Sequence, residues 1–158
     1  MSGLKAISVR RATNGDIAVV TRLFWEYLDF YGVSFDKVQA RSYLAERIAK
    51  RDCIVLLANM APDVDLLSAV GYALVYPTFS SLSMGPVWIL NDLFVTPSAR
   101  GLGVGRTLVR ACLHEAEIGG AMSVHLSTAH DNLAAQSLYK SEGFELDATF
   151  VSYERKIP

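Results

Sequence analysis

Cysteine is scarce in this chain: Cys53 and Cys112 are the only two. Two thiols are too few for a disulfide framework, and both stand in apolar stretches. They read as buried free thiols in a reducing, cytoplasmic compartment. Long hydrophobic runs are missing as well. No window approaches the roughly 20 apolar residues of a bilayer span, so no membrane partner is expected. The opening stretch "MSGLKAISVRR" lacks the apolar run and cleavage site of a signal peptide. Neither sign of charge dominates. The 15 Lys and Arg residues face 16 Asp and Glu, for a formal net charge of −1, which offers little to nucleic-acid phosphates. His114, His125 and His130 show no metal-ligand spacing, so no metal is expected. Internal repeats and low-complexity segments are absent.

What is present is an ordinary globular composition, 51% apolar and 20% charged over 158 residues. That length suits one domain spanning 1–158 with a proper core. "LKAISVRRA" alternates as a strand does. "TNGD" follows, with Thr13 and Asp16 at capping-box spacing. Ile17, Val20, Phe24, Leu28 and Tyr31 then recur at helical spacing, with Arg22, Glu26 and Asp29 on the other face. "DKVQARSYLAERIAK" reads as a second helix. "CIVLLANM" is apolar on both faces and reads as a central strand. "APDVD" reads as a turn, and "LLSAVGYALVY" as a strand ending near Pro77. "PTFSSLSMGP" reads as a mobile loop, and "VWILNDLFV" as a long strand. A helix follows to about Ile118, closed by "GG". "MSVHLST" reads as a strand, "NLAAQSLYKSE" as a helix, and "GFELDATFVSYERKI" as two short strands. The alternation implies an α/β fold: a mixed, mostly antiparallel, twisted sheet of about six or seven strands with about four helices.

"RGLGVGRTLV", Arg100 to Val109, is the most informative stretch. It is no dinucleotide fingerprint, because Arg106 stands where the third glycine belongs and no acidic ribose reader follows. It is no P-loop, because no Gly-Lys-Ser/Thr follows. It is a glycine turn opening a helix. The first helical amides lack partners and point at one spot. Glycines admit a bulky anion to the backbone, and the helix dipole favours its charge. Arg100 and Arg106 flank the turn and can pair with phosphate oxygens, which suits a pyrophosphate. An unliganded glycine turn is the alternative. Further on, Asn132, Ala135 and Tyr139 share one face of the last helix. They read either as a slot for a thin ligand or as a helix cap followed by a core aromatic.

These stretches resemble a known family. "LNDLFVTPSARGLGVGRTLV" is similar to the acetyl-CoA-binding motif of the GNAT superfamily of N-acetyltransferases, with Arg100, Gly103 and Gly105 in the pattern Arg/Gln-x-x-Gly-x-Gly/Ala. "DNLAAQSLYKSEGF" is similar to the family's next motif, through Asn132, Tyr139, Gly143 and Phe144. Within the superfamily the chain is most similar to the diamine and polyamine acetyltransferases and a related histone/polyamine group. The resemblance implies a V-shaped splay between two central parallel strands, where pantetheine lies along the backbone of Leu93, Phe94 and Val95. It assigns the pyrophosphate to Arg100, Gly101, Leu102, Gly103, Val104, Gly105 and Arg106, and the cofactor arm to Asn132 and Ala135. Acetyl-CoA is the implied co-substrate, and a homodimer is implied too. Exposed-edge pairing through Phe144, Phe150, Val151 and Tyr153 fits a dimer.

Acetyl transfer to an amine has three chemical needs. The acceptor must lose a proton, since alkylammonium groups have a pKa near 10. The oxyanion needs a donor, and a backbone amide near Val95 is the candidate. The departing thiolate needs a proton, and Tyr139 matches the family's usual general acid. The similar polyamine enzymes carry glutamate where this chain has Asn91. Asparagine is no base, so water relays the proton or another group takes it. Strand alternation places Asp92 on a face with Trp88, Leu90 and Phe94. There it is either a carboxyl with a raised pKa or a structural aspartate satisfied by backbone amides. Glu26 and Asp29 can attract a cationic amine, with Trp25, Tyr27 and Tyr31 offering aromatic faces, or they form a solvated helix face. His130 and Asp131 either line the acceptor side or shape a turn. Cys112 reads as core. The acceptor is a small-molecule amine or a protein lysine. Two other readings are a non-catalytic acyl-CoA-binding sensing module and an acetyltransferase toxin acting on charged transfer RNA. The near-neutral charge speaks against the last.

Overall fold

The computed structural model describes residues 6–60 and 68–158. They fall into two compact units, one ending at Ser127 and one running from Thr128 to Pro158. The turn expected at "APDVD" lies outside the described residues.

The first unit is built on a five-stranded sheet in the order β1-β2-β3-β4-β5. Its strands are β1 (Ser8–Arg11), β2 (Ile54–Asn59), β3 (Gly71–Ser80), β4 (Gly85–Val95) and β5 (Val124–His125). The first three pairings are antiparallel, and β4 and β5 run parallel. Helices α1 (Ile17–Phe30) and α2 (Lys37–Ala49) lie between β1 and β2 in the chain, and α3 (Val104–Ile118) lies between β4 and β5. The core joins Val20 and Leu23 of α1 and Leu44 of α2 to Val55, Leu57, Tyr72 and Leu74 of the sheet. Val104, Leu108 and Cys112 of α3 are buried at four-residue spacing, the stripe expected of an amphipathic helix. No helix among the described residues is long and apolar enough to cross a membrane.

Three expectations need correction. Strand β3 does not stop near Pro77 but runs through it to Ser80. Strand β2 ends with Ile54 opposite Val75, so β3 is an edge from Tyr76 onward, where a residue without an N–H is tolerated. "PTFSSLSMGP" is therefore no loop. Most of it belongs to a hairpin in which Ser80 pairs with Gly85. Third, the parallel pair is not central: β5 has two residues and closes the sheet order at one edge.

The capping box at Thr13 and Asp16 is present and starts a 3-10 turn that leads into α1. Asp16 is 4% exposed. Its two oxygens take the Arg10 guanidinium at 2.6 and 2.9 Å. Oδ2 also accepts from the backbone N–H and hydroxyl of Thr13 at 2.8 and 3.0 Å. The Arg10 bonds, with those from Thr13, outweigh desolvation and hold the carboxyl down at about 2. A carboxyl depressed by folding adds stability above its unfolded pKa near 4, and loses it as pH falls through the folded value. Asp16→Asn is expected to cost about 2 kcal/mol at pH 7. The gap to wild type should close between about pH 4 and pH 2, as urea unfolding across that range will show.

The second unit holds α4 (Leu133–Ser141). Residues 144–158 form no strand, against the two expected. A strand needs a neighbouring ladder for its N–H and C=O groups, and this unit contains no strand. Phe150, Val151 and Tyr153 are exposed.

Candidate active site

Strand β4 ends at Val95, a 3-10 turn covers Pro97–Ala99, and α3 begins at Val104. Between them Gly101 and Gly103 have φ of +75° and +89°, a region side chains disfavour. Gly103 is the N-cap of α3. A Cβ at Gly101 would meet nothing within 4 Å, and one at Gly103 would reach only Ile7 Cδ1 at 3.8 Å. Backbone angle, not crowding, is what requires glycine there. The first amides of the 15-residue α3 follow at once. Arg106 and Leu102 are exposed, whereas the Val104 side chain is buried, so Val104 has only backbone to offer a ligand. Arg100 is tied locally. Its Nε donates to the Val95 carbonyl at 3.0 Å, and its guanidinium lies 5.1 Å from the Phe30 ring centroid and 5.8 Å from that of Phe94.

The parallel pairing of β4 with β5 spans only Trp88↔Val124 and Ile89↔His125. Beyond it the chains part, and a cavity of about 220 Å³ opens between Ile89–Asn91 and His125–Ser127. Leu93 and Val95 are half-buried, and Phe94 is core.

On its other side, β4 carries an irregularity. Asp92 pairs with Leu74 but Leu90 pairs with Val75, so Asn91 is an extra residue, a β-bulge. The bulge reverses the alternation. Trp88 packs where a Cβ on Gly119, at the end of α3, would touch its ring. Asp92 instead accepts a 3.0 Å hydrogen bond from the Tyr72 hydroxyl, among the α1 and α2 contacts of the core. The shared face expected for Trp88, Asp92 and Phe94 is thus corrected: Asp92 and Phe94 lie with Tyr72, and Trp88 lies with α3. Side chains, not backbone amides, satisfy Asp92. Asn91 Nδ2 donates to its Oδ1 at 2.8 Å, and Tyr27 adds a further bond. Burial dominates these bonds and raises the Asp92 pKa above the usual carboxylate value.

Asn91 and Asp92 also line a second cavity, of about 490 Å³. Helix α1 supplies Phe24, Tyr27, Leu28 and Tyr31, which share one face. Helix α2 supplies Tyr43 and Leu44, and β3 supplies Leu74 and Tyr76. The Tyr43 and Tyr76 hydroxyls are 2.5 Å apart. Gly32, at φ +65°, ends α1 so that Val33 N–H reaches the Leu28 carbonyl, and Val33 joins the cavity rim. Glu26 and Asp29 do not line this cavity. Glu26 pairs with Arg22 at 2.8 Å, and Asp29 is exposed. Trp25 stacks under Lys37 instead. Helical spacing puts Phe24 and Leu28 on one face of α1, and no sequence motif singles out Tyr43 or Tyr76. The helical spacing in α1 was the available signal, but spacing alone does not separate a core face from a cavity wall.

In the second unit, Asn132 is the N-cap of α4, its Oδ1 accepting from Ala135 N–H at 3.2 Å. Ala135 is half-buried. Helix α4 ends in a Schellman motif. Gly143, at φ +86°, donates to the Lys140 carbonyl, and Phe144 donates to that of Tyr139. The Phe144 ring packs edge-on against Tyr139 at 5.8 Å, so "EGF" fixes the position of the buried Tyr139 ring. His130 is exposed, and its carbonyl accepts from Gln136, which is the turn-shaping reading.

The sequence profile of the Acetyltransferase (GNAT) family matches residues 20–144. The chain belongs to this family. Among GNAT relatives, it is 37% identical over 152 residues to the uncharacterized N-acetyltransferase YhfO of Bacillus subtilis, covering 96% of this chain and 99% of that one. It is 26% identical over 142 residues to bovine (Bos taurus) thialysine N-epsilon-acetyltransferase, covering 87% and 83%. It is 33% identical to the D-amino-acid N-acetyltransferase HPA3 of Saccharomyces cerevisiae over 102 residues, covering 65% and 62%. The crystal structure of a probable acetyltransferase superposes with a TM-score of 0.88 at 33% identity, covering 96% and 98%.

GNAT acetyltransferases use acetyl-CoA. The residues present fit that molecule: two open left-handed glycines precede the helix amides, and among the described residues the adjacent strand has no β5 ladder partner beyond Ile89. Among the described residues no group of three or more His, Cys, Asp or Glu lies together. Cys53 and Cys112 are buried free thiols, and desolvation raises both to about 11, which leaves them protonated and inert at neutral pH.

Proposed function

We propose that this enzyme transfers an acetyl group from acetyl-CoA to a primary amine by direct attack, with both substrates bound together. The observation that carries the reading is the double role of Asn91. It lines the cavity on the β5 side and the tyrosine-lined cavity alike, so groups held in each can meet beside it. The thioester supplies an activated acetyl group. Amide groups of Gly101 to Arg106, with Arg100, hold the pyrophosphate, and the Leu93–Val95 backbone holds the pantetheine arm. The family resemblance assigns Asn132 and Ala135 to the same arm. The Asn91 amide is oriented by its bond to Asp92, which leaves Oδ1 to accept from the amine, and the ammonium's surplus proton passes to water before the neutral nitrogen attacks. A backbone N–H near Val95 donates to the acetyl oxygen. The Tyr139 hydroxyl gives its proton to the departing thiolate. Relatives named for D-amino acids and for the ε-nitrogen of thialysine support an amine acceptor.

Thiol release should be followed across diamines, polyamines, monoamines, amino acids, aminoglycosides and a lysine-rich peptide, with acetyl-CoA titrated in parallel. Turnover with at least one class is expected. Silence across the panel together with tight acetyl-CoA binding would favour a sensing module that holds acyl-CoA without turnover. We also propose a homodimer, on the exposed Phe150, Val151 and Tyr153. Sedimentation at micromolar concentration should give a dimer, and a monomer would remove the proposal.

A further inference from the structure

We propose that the tyrosine-lined cavity takes a primary monoamine with an aliphatic or aromatic body, its ammonium met by Asp92. The assignment rests on the reading that the enzyme acetylates an amine, and narrows it. At about 490 Å³ the cavity is in the small-molecule range. Among the described residues that line it, Asp92 is the single carboxylate. A carboxylate offers about four acceptor sites. Tyr72, Asn91 and Tyr27 occupy three, which leaves one for an ammonium hydrogen. Burial opposes the charged form of Asp92, and an arriving cation restores it.

The walls decide what else the ligand carries. Phe24, Leu28, Leu44 and Leu74 are apolar, and the tyrosines present ring faces to a cation or to an aromatic body. A diamine or polyamine would bring a second ammonium into this space with no second carboxylate among the described lining residues to meet it, which is unfavourable. The acids of α1 cannot serve. Glu26 is paired with Arg22, and neither Glu26 nor Asp29 lines the cavity.

The test compares hexylamine and phenethylamine with putrescine and spermidine at saturating acetyl-CoA. The monoamines should have kcat/KM about tenfold or more above the polyamines, given the cost of one unpaired buried charge. Asp92→Asn keeps an acceptor for Tyr72 but removes the charge. It should raise KM for hexylamine about tenfold to thirtyfold, the worth of a charge-assisted bond, and leave acetyl-CoA affinity unchanged. Val33→Asp changes a rim residue that is 47% exposed and adds a second carboxylate without touching the core. It should shift the preference towards putrescine several-fold. Preference of the wild type for polyamines, or an unchanged hexylamine KM in Asp92→Asn, would overturn the assignment while leaving acetyl transfer intact. Calorimetry with hexylamine alone separates the two claims. Binding that Asp92→Asn weakens, without acetyl transfer to any amine, would refute the transferase reading and uphold the pocket. Absence of monoamine binding and turnover would refute the pocket.

Discussion

Tyr139→Phe is expected to lower kcat about a hundredfold or more, the usual worth of a general acid, with acetyl-CoA affinity nearly unchanged. The substitution removes one oxygen and keeps the ring. The ring's position is fixed by the Schellman turn and by the edge-on Phe144 contact at 5.8 Å, neither of which uses the hydroxyl. A structural role would therefore show in thermal stability, and a proton-donating role in kcat. The deficit should shrink with acyl donors whose thiolates leave readily, since a better leaving group needs its proton less. Steady-state rates with acetyl-CoA and with an activated thioester, beside a melting curve, measure all three. Unchanged turnover would take Tyr139 out of the mechanism.

Gly103→Val should weaken acetyl-CoA binding on the order of a hundredfold. Gly103 caps α3 at φ +89°, where a side chain costs about 1–2 kcal/mol and a β-branched one more. Space is not the obstacle, since the nearest atom to a new Cβ would be 3.8 Å away. The expected response is a shift of the turn to negative φ, which re-aims the first amides of α3. The loss should therefore fall on affinity, read by calorimetry with acetyl-CoA. Gly103→Ala should lose less, because it bears the angle penalty without the β-branch. Full affinity in both variants would place the pyrophosphate elsewhere.

Much of this molecule is legible along the chain because the deciding interactions are local. The α3 boundaries follow from Gly103 before it and Gly119–Gly120 after it, residues whose backbone freedom is a property of the residue itself. The Asp36 cap of α2 and the Asn132 cap of α4 are of the same kind, with each side chain bonded to an amide three residues on. The amphipathic stripe of α1 is equally plain. The element limits that went wrong are those set by neighbours far along the chain. Strand β3 continues past Pro77 because β2 has already ended. The C-terminal stretch carries β-forming residues but has no ladder within its own unit to join.

The candidate site divides in the same way. The sequence by itself determined the glycine turn, the helix behind it and the capped helix carrying Tyr139, because turn geometry, capping and helical spacing act within a few residues. Only the tertiary structure decided which side of the sheet Asp92 faces. One extra residue at Asn91, opposite the Leu74–Val75 step of β3, reverses the alternation on which sequence reasoning relied. The same is true of the tyrosine-lined cavity, whose walls come from α1, α2, β3 and β4. A bulge is a mismatch between two strands and a cavity is a gap among four elements, so neither exists until distant segments have met.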